Sequence, residues 1–316
     1  MIPNPEKQLK SKEFYSPERN MPAQIIDGKS IAQDIKNELK IRIRKLKEID
    51  NLIPGLAVVL VGENPSSQVY VNRKQIDAQE IGVYSFTEKL SDTITQKELV
   101  DLIEKFNLDP RIHGILVQSP LPKHINEHLI YQSINPQKDV DGFHPVNMGK
   151  LLIGDEDGFI PCTPAGVQEL LIRSRVSLAG KHVVIIGRSN IVGKPLASIL
   201  MQKKEGANAV VTICHTGAND RTPFTRQAEV LIAAIGKPEI IRGDMLSAGC
   251  VVIDVGVNRI EDKSKKNGYR IVGDVHFESA NRVAKMIAPV PGGVGPMTIA
   301  MLLRNTVVAA ERTVIY

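Results

Sequence analysis

HVVIIGRSNIVGKPLASIL, residues 182–200, reads as a buried strand, a tight turn and a helix, and that succession decides the fold. The run from Val183 to Ile186 is apolar and β-branched, and Gly187, Ser189 and Gly193 fall in the turn. In a parallel α/β sheet such a turn brings backbone N–H groups and a helix N-terminus to one point, where they can meet a phosphate. The turn is not GxGxxG, and ordinary βα loops also follow a strand with glycine. Spacing alone therefore leaves both readings open.

The same rhythm extends in both directions. Apolar runs occur at AVVLVG (57–62), GILVQ (114–118), AVVTIC (209–214), EVLIAAIG (229–236) and CVVIDVG (250–256). Continuous rather than alternating hydrophobicity predicts strands covered on both faces. Helical intervals are predicted at about 29–49, 66–81, 95–107, 164–174, 193–203 and 297–311, which gives right-handed βαβ units. At 316 residues the chain exceeds the usual reach of a single core. The expected fold is thus α/β in two domains, an α/β catalytic domain and a Rossmann-like parallel-sheet nucleotide-binding domain, with a cleft between them. Glycines, prolines and acids crowd DGFHPVNMGKLLIGDEDGFIPCTP (141–164), and PVPGGVGP (289–296) punctuates the chain again. The division expected from these breaks is 21–145 plus 296–316 for the catalytic domain and 146–295 for the nucleotide domain. Residues 1–20 mix charges and prolines without an apolar stretch, and are expected to be a flexible extension rather than a signal peptide.

Composition narrows the partners. The chain is 42% hydrophobic and 24% charged, with a net charge of +5 that is not gathered into a basic block, and it has no tryptophan. A small anionic ligand fits this better than nucleic acid. Apolar runs are only strand-length, so no membrane partner is expected. Three cysteines without CxxC spacing argue against a disulfide scaffold or a structural zinc site, and favour a reducing, cytoplasmic setting. His124 and His128 are four residues apart, but no third ligand stands at a recognisable spacing, and no metal is expected.

Candidate chemistry gathers in the first half. Tyr70 and Lys74 project from one face of a predicted helix. Gln118 closes a strand, and KDVDGF supplies Asp139 and Asp141. Ligands of open parallel sheets bind outside the carboxyl ends of the strands, where Gln118 falls. A lysine shielded from water loses charge more readily and can act as a general base, whereas a surface lysine would only lie along its helix, paired with Asp77. In the second half, AVVTICHT ends in His215 and Thr216 with no acid for a ribose hydroxyl, while Arg188 in the turn can pair with a 2′-phosphate. That combination favours NADP over NAD; a solvated loop arginine is the alternative.

With these segments in order, the chain resembles the bifunctional methylenetetrahydrofolate dehydrogenase/methenyltetrahydrofolate cyclohydrolase family. The stretches that carry the resemblance are PGLAVVLVGENPSSQVYVNRK, VQSPLP, KDVDGFHPVNMGKL, PCTPAGV, VVIIGRSNIVGKP, IAAIGKPEII, VVIDVGVNR and PVPGGVGPMT, over about residues 22–312. The resemblance implies oxidation of 5,10-methylenetetrahydrofolate with NADP, then hydrolysis of the methenyl product to 10-formyltetrahydrofolate, in one-carbon metabolism serving purine biosynthesis. It implies that Tyr70 and Lys74 are the catalytic pair, that Gln118 assists the lysine and that Asp141 holds the pterin. Val117 and the segment Pro291, Gly292, Gly293, Val294 and Gly295 would contact the folate. Cofactor contacts would fall on Gly187, Arg188, Ser189, Thr216 and Val257, and the family implies a homodimer. Ser119 stands where the family commonly has leucine, and GANDR follows CHT where many members carry a basic residue. Rival readings are a monofunctional, NAD-dependent dehydrogenase and a nucleotide-sensing protein without turnover.

Overall fold

The computed structural model describes residues 21–265 and 268–314, so the expected extension at 1–20 lies outside the described residues. The first part of the chain runs β1 (Gln24–Ile25), α1 (Gly28–Asp50), β2 (Gly55–Val61), α2 (Pro65–Ile81), β3 (Tyr84–Leu90), α3 (Gln96–Leu108), β4 (Gly114–Val117) and α4 (Glu127–Ser133). Then come α5 (Pro145–Ile153), α6 (Cys162–Arg173), β5 (His182–Ile186), α7 (Gly193–Leu200), β6 (Val210–Cys214), α8 (Thr222–Thr225), β7 (Val230–Ala233) and β8 (Val251–Asp254). The chain closes with the hairpin β9 (Asn258–Glu261) and β10 (Tyr269–Val272), α9 (Phe277–Ala280), β11 (Met286–Ala288) and α10 (Val294–Glu311).

Two parallel sheets result. The smaller has the order β3-β2-β4, and the larger has β1-β11-β8-β7-β5-β6. Strand order reverses between β2 and β4 in the first sheet and between β5 and β7 in the second. Those reversals open crevices at the strands' carboxyl ends, where α/β folds take ligands. The fold is the two-part α/β architecture that the alternation of apolar runs and amphipathic segments predicts.

Alternate residues of β2 explain its unbroken hydrophobicity. Leu56, Val58 and Leu60 enter a core shared with α1, α6, α10 and the inner face of the larger sheet. Ala57, Val59 and Val61 enter a second core under α3. A third core covers the other face of the larger sheet, with Val184, Ile186, Leu231 and Val252. The terminal helix α10 packs on both α1 and α6, so it binds the two sheets into one body.

Local signals set the ends of these elements. Asp27 caps α1 through Lys29 N and Ser30 N, at 3.0 and 3.2 Å, and Thr95 and Glu98 form a reciprocal capping box on α3. Two differences from the sequence reading stand out. The Gly- and Pro-rich stretch after Gly142 contains α5, with Pro145 in its first turn and the His144 ring capping Val146 N. Helix α7 stops at Leu200 instead of running to 203. No described helix is long and apolar enough to cross a membrane.

Candidate active site

Helix α2 starts at Pro65 behind Asn64, whose side chain accepts from Ser67 N at 3.1 Å. Its inward face carries Val71, Lys74, Asp77 and Ala78, all buried. Lys74 is 7% exposed, and its Nζ donates to Gln118 Oε1 at 3.0 Å. Gln118 is held in turn: its backbone N–H donates to Val59 O at 2.9 Å and its Nε2 to Ser119 O at 2.7 Å. The amide nitrogen is thereby committed, which leaves the oxygen for the lysine. Lys74 makes no pair with Asp77, whose carboxylate lies by Lys36 and Arg73. Val117, beside Gln118, is buried in the core under α3.

Burial pulls the Lys74 pKa below its ordinary value, opposed by the negative charge of Asp141. Burial likewise pushes the Asp141 carboxyl up, opposed by Lys74. Each group is thus drawn toward its neutral form while its neighbour favours the charged one. The Cys162 thiol lies beside this pair and donates to Val140 O at 3.3 Å, with its pKa raised well above the ordinary value by burial. Tyr70 is partly buried and its phenol pKa is raised by burial, so it stays protonated.

Asp139 organises the loop that presents Asp141. It is 1% exposed and accepts from Gly142 N, Phe143 N, His144 N and Asn147 Nδ2 at 2.8–3.2 Å. Asn305 of α10 fastens the same loop, donating to Val140 O at 2.9 Å and Ile160 O at 3.1 Å. Ser119 donates to Glu127 Oε1 at 2.7 Å and so ties the end of β4 to the start of α4. The sequence reading assigned no part to Cys162 or Asn305; PCTP was the available signal for the former, and nothing local marks the latter.

A cavity of about 1010 Å³ runs past Tyr70. Its walls include Val69, Tyr70 and Arg73 of α2, Pro291 to Gly295 at the entry to α10, and Val255 and Val257 after β8. The cavity therefore joins α2 to the end of β8 in the larger sheet and to the β9–β10 hairpin. Lys74 lies one helical turn beyond Tyr70 on α2, bonded to Gln118 after β4 and close enough to Asp141 to feel its charge.

The turn after β5 sits at the strand reversal of the larger sheet. Gly187 has φ 136°, and a Cβ there would meet Ala234 O at 2.2 Å. A Cβ on Gly193 would meet Gly187 O at 2.2 Å. Only glycine lets the strand, the turn and α7 approach this closely, which is the shape a pyrophosphate cradle needs. Ser189 Oγ accepts from Val192 N at 3.1 Å. Arg188 is exposed and makes no hydrogen bond or ion pair among the described residues. Thr216 is exposed at the end of β6, where the His215 ring accepts from Gly217 N at 3.0 Å. These residues suit a phosphorylated dinucleotide: a glycine turn for the pyrophosphate and an unpaired guanidinium for an added phosphate. His124 instead bonds Ile94 O at 2.9 Å, and no three potential metal ligands cluster among the described residues.

Comparison with known proteins matches this geometry in both halves. Residues 26–141 match the catalytic domain of tetrahydrofolate dehydrogenase/cyclohydrolase, and residues 161–314 match its NAD(P)-binding domain. The bifunctional protein FolD of Pelodictyon phaeoclathratiforme is 53% identical over 289 residues, covering 91% of this chain and 98% of that protein. The bifunctional methylenetetrahydrofolate dehydrogenase/cyclohydrolase of Campylobacter jejuni superposes with a TM-score of 0.87 at 48% identity, covering 92% of this chain and 100% of the other. The Trypanosoma brucei enzyme, solved with NADP and an inhibitor, superposes at 0.88 with 38% identity, covering 93% and 99%. With both halves matched in order over nearly the whole length, the chain belongs to the tetrahydrofolate dehydrogenase/cyclohydrolase family.

Proposed function

We propose that this protein oxidises 5,10-methylenetetrahydrofolate to the 5,10-methenyl compound with NADP and hydrolyses that product to 10-formyltetrahydrofolate in the same cleft. The observation that carries the reading is the buried Lys74, bonded to Gln118 and one helical turn from Tyr70, which lines a cavity that extends to the end of β8 in the larger sheet. When bound, NADP supplies the acceptor for the hydride that leaves the one-carbon bridge, and Gly187, Arg188, Ser189, Thr216 and Val257 would hold it.

The oxidised bridge is a resonance-stabilised cation. A charged ammonium beside it would oppose its formation, whereas a neutral Lys74 does not. Water then adds to the bridging carbon and the proton it loses passes to Lys74 Nζ; the carbon's bond to N5 breaks, N5 takes up a proton, and the formyl group remains on N10. The Gln118 oxygen keeps that nitrogen aimed and stabilises the ammonium once formed. Asp141 accepts hydrogen bonds from pterin N–H groups, and the Tyr70 ring stacks on the aminobenzoyl group, with the Pro291–Gly295 turn completing the folate site; the Val117 side chain, expected to contact the folate, is instead buried under α3. Residues 21–145 with 296–316 serve as the catalytic domain in this reading, apart from β1, which pairs with β11 in the larger sheet, and 146–295 serve as the nucleotide domain. The enzyme acts as a cytoplasmic homodimer that supplies one-carbon units to purine biosynthesis.

A spectrophotometric assay with 5,10-methylenetetrahydrofolate and either NADP or NAD tests the reading. Reduction of NADP without methenyl accumulation, with hydrolysis of added methenyl substrate above the buffer rate, is expected. Methenyl build-up would make the enzyme monofunctional, and no turnover with either cofactor would refute the catalytic reading.

A further inference from the structure

Two buried carboxylates take no part in the chemistry above. Asp254, 3% exposed, ends β8 and accepts from Gly256 N at 3.0 Å and from Asp274 N and Val275 N at 2.9 Å. Asp274, with no exposed surface, accepts from the backbone N–H of Ile235, from Gly236 N and Lys237 N at 2.9 Å, and from Asn258 Nδ2 at 2.9 Å. The two carboxylates form a relay, since the backbone N–H of the second is held by the first. Space for it is reserved: a Cβ on Gly273 would come within 1.7 Å of Asp254 Oδ2.

Burying a carboxylate is costly unless donors saturate it. Here the donors are the backbone of three loops, which follow β7, β8 and β10, and the Asn258 side chain. The first of these begins beside Ala234, against which Gly187 packs at the strand reversal. In the second, Val257 lies between Gly256, held by Asp254, and Asn258, held by Asp274. Val255, Val257 and Asp254 itself line the cavity that also contains Tyr70. If folate lies on Tyr70 and hydride crosses to the cofactor, the reacting ring sits between Tyr70 and this wall.

We infer that the Asp254–Asp274 relay is a positioning device for the reacting end of the cofactor, fixing the loops 235–237 and 255–258 at the distance that hydride transfer requires. The inference rests on the bifunctional reading above. It separates the two reactions: hydrolysis of methenyl substrate uses Lys74, one helical turn beyond the Tyr70 wall of the cavity, and needs no cofactor, whereas oxidation depends on the opposite wall.

The test is the ratio of NADP-dependent oxidation to hydrolysis of added methenyltetrahydrofolate, measured in wild type, Asp274→Asn and Asn258→Ala. Asp274→Asn turns an acceptor into a donor facing other donors. It should lower dehydrogenase kcat about tenfold or more with hydrolysis within about twofold of wild type, because small misplacements of reacting groups have large kinetic effects. Asn258→Ala removes one outer bond and should shift the ratio the same way by about threefold. If Asp274→Asn does not yield folded protein, Asn258→Ala decides. An unchanged ratio, whether both activities survive or both fall together, overturns the inference and makes the relay purely structural. Failure of the wild type to perform either reaction would instead refute the function proposed above.

Discussion

Lys74 illustrates how one residue's chemistry follows from where its helix puts it. The same side chain on the outer face of α2 would be a solvated cation; on the inner face, burial lowers its pKa and Gln118 is its hydrogen-bond partner. Only its neutral form accepts a proton, and that form grows as pH rises through the lowered pKa. Hydrolysis should therefore rise with pH and level off below the lysine's ordinary 10.5. Lys74→Met should bring hydrolysis to the buffer rate at every pH, with NADP affinity within about twofold of wild type. A variant that hydrolyses at the wild-type rate would remove Lys74 as the base. Arg188 makes no ion pair among the described residues, so its charge is available to a phosphate. Arg188→Ala should weaken NADP by about tenfold and NAD by much less, as loss of one charge-assisted contact implies. Equal losses in a titration of both cofactors would mark Arg188 as structural.

Most strands that are legible in the sequence are buried on both faces; β6, expected from AVVTIC to be covered on both faces, is the exception, an edge strand whose Val210 and Ile213 are exposed. Strands β2, β4, β7 and β8 are buried at every position, and all but the terminal Asp254 of β8 read as unbroken apolar runs. Strand β3, YSFTEKL, was not legible because it is an edge strand with only Ser85 buried, so its polar residues carry no such signal. The hairpin β9–β10 is outlying and half-polar, and Arg259 lies over the Tyr269 ring within it, a contact invisible to any local pattern. Helix α5 was hidden because glycine and proline flank it on both sides. The turn after β5 was legible through its glycines, and its steric limit gives a prediction. Gly187→Ala puts a methyl group against Ala234 O in a backbone conformation that alanine avoids, costing about 1–3 kcal/mol. NADP binding measured by calorimetry should fall at least tenfold by the pyrophosphate's displacement, with hydrolysis retained. Unaltered binding would show that the turn is not the cradle.

At the scale of the whole molecule, the site exists because distant segments converge. Tyr70, Lys74, Gln118 and Asp141 could each be picked out along the chain, but the way α10 clamps the Asp141 loop could not, since Asn305 meets Val140 across 165 residues. Asn305→Leu removes a side-chain donor from Val140 O, which keeps only the weak Cys162 thiol bond, and from the part-buried Ile160 O, so it should cost about 1–3 kcal/mol in urea unfolding and slow hydrolysis by releasing that loop. Unfolding midpoints equal to wild type would show that the clamp is dispensable. The cavity likewise arises only when α2, the Pro291–Gly295 turn and the β8 loop meet. That meeting is the basis of the central claim, that one cleft serves both reactions. The most direct measurement is inhibition of methenyltetrahydrofolate hydrolysis by 5,10-methylenetetrahydrofolate without cofactor. The account predicts competitive inhibition, with a constant within about threefold of the KM for oxidation. Non-competitive inhibition, or none at concentrations that saturate oxidation, would place the two reactions at separate sites and contradict it.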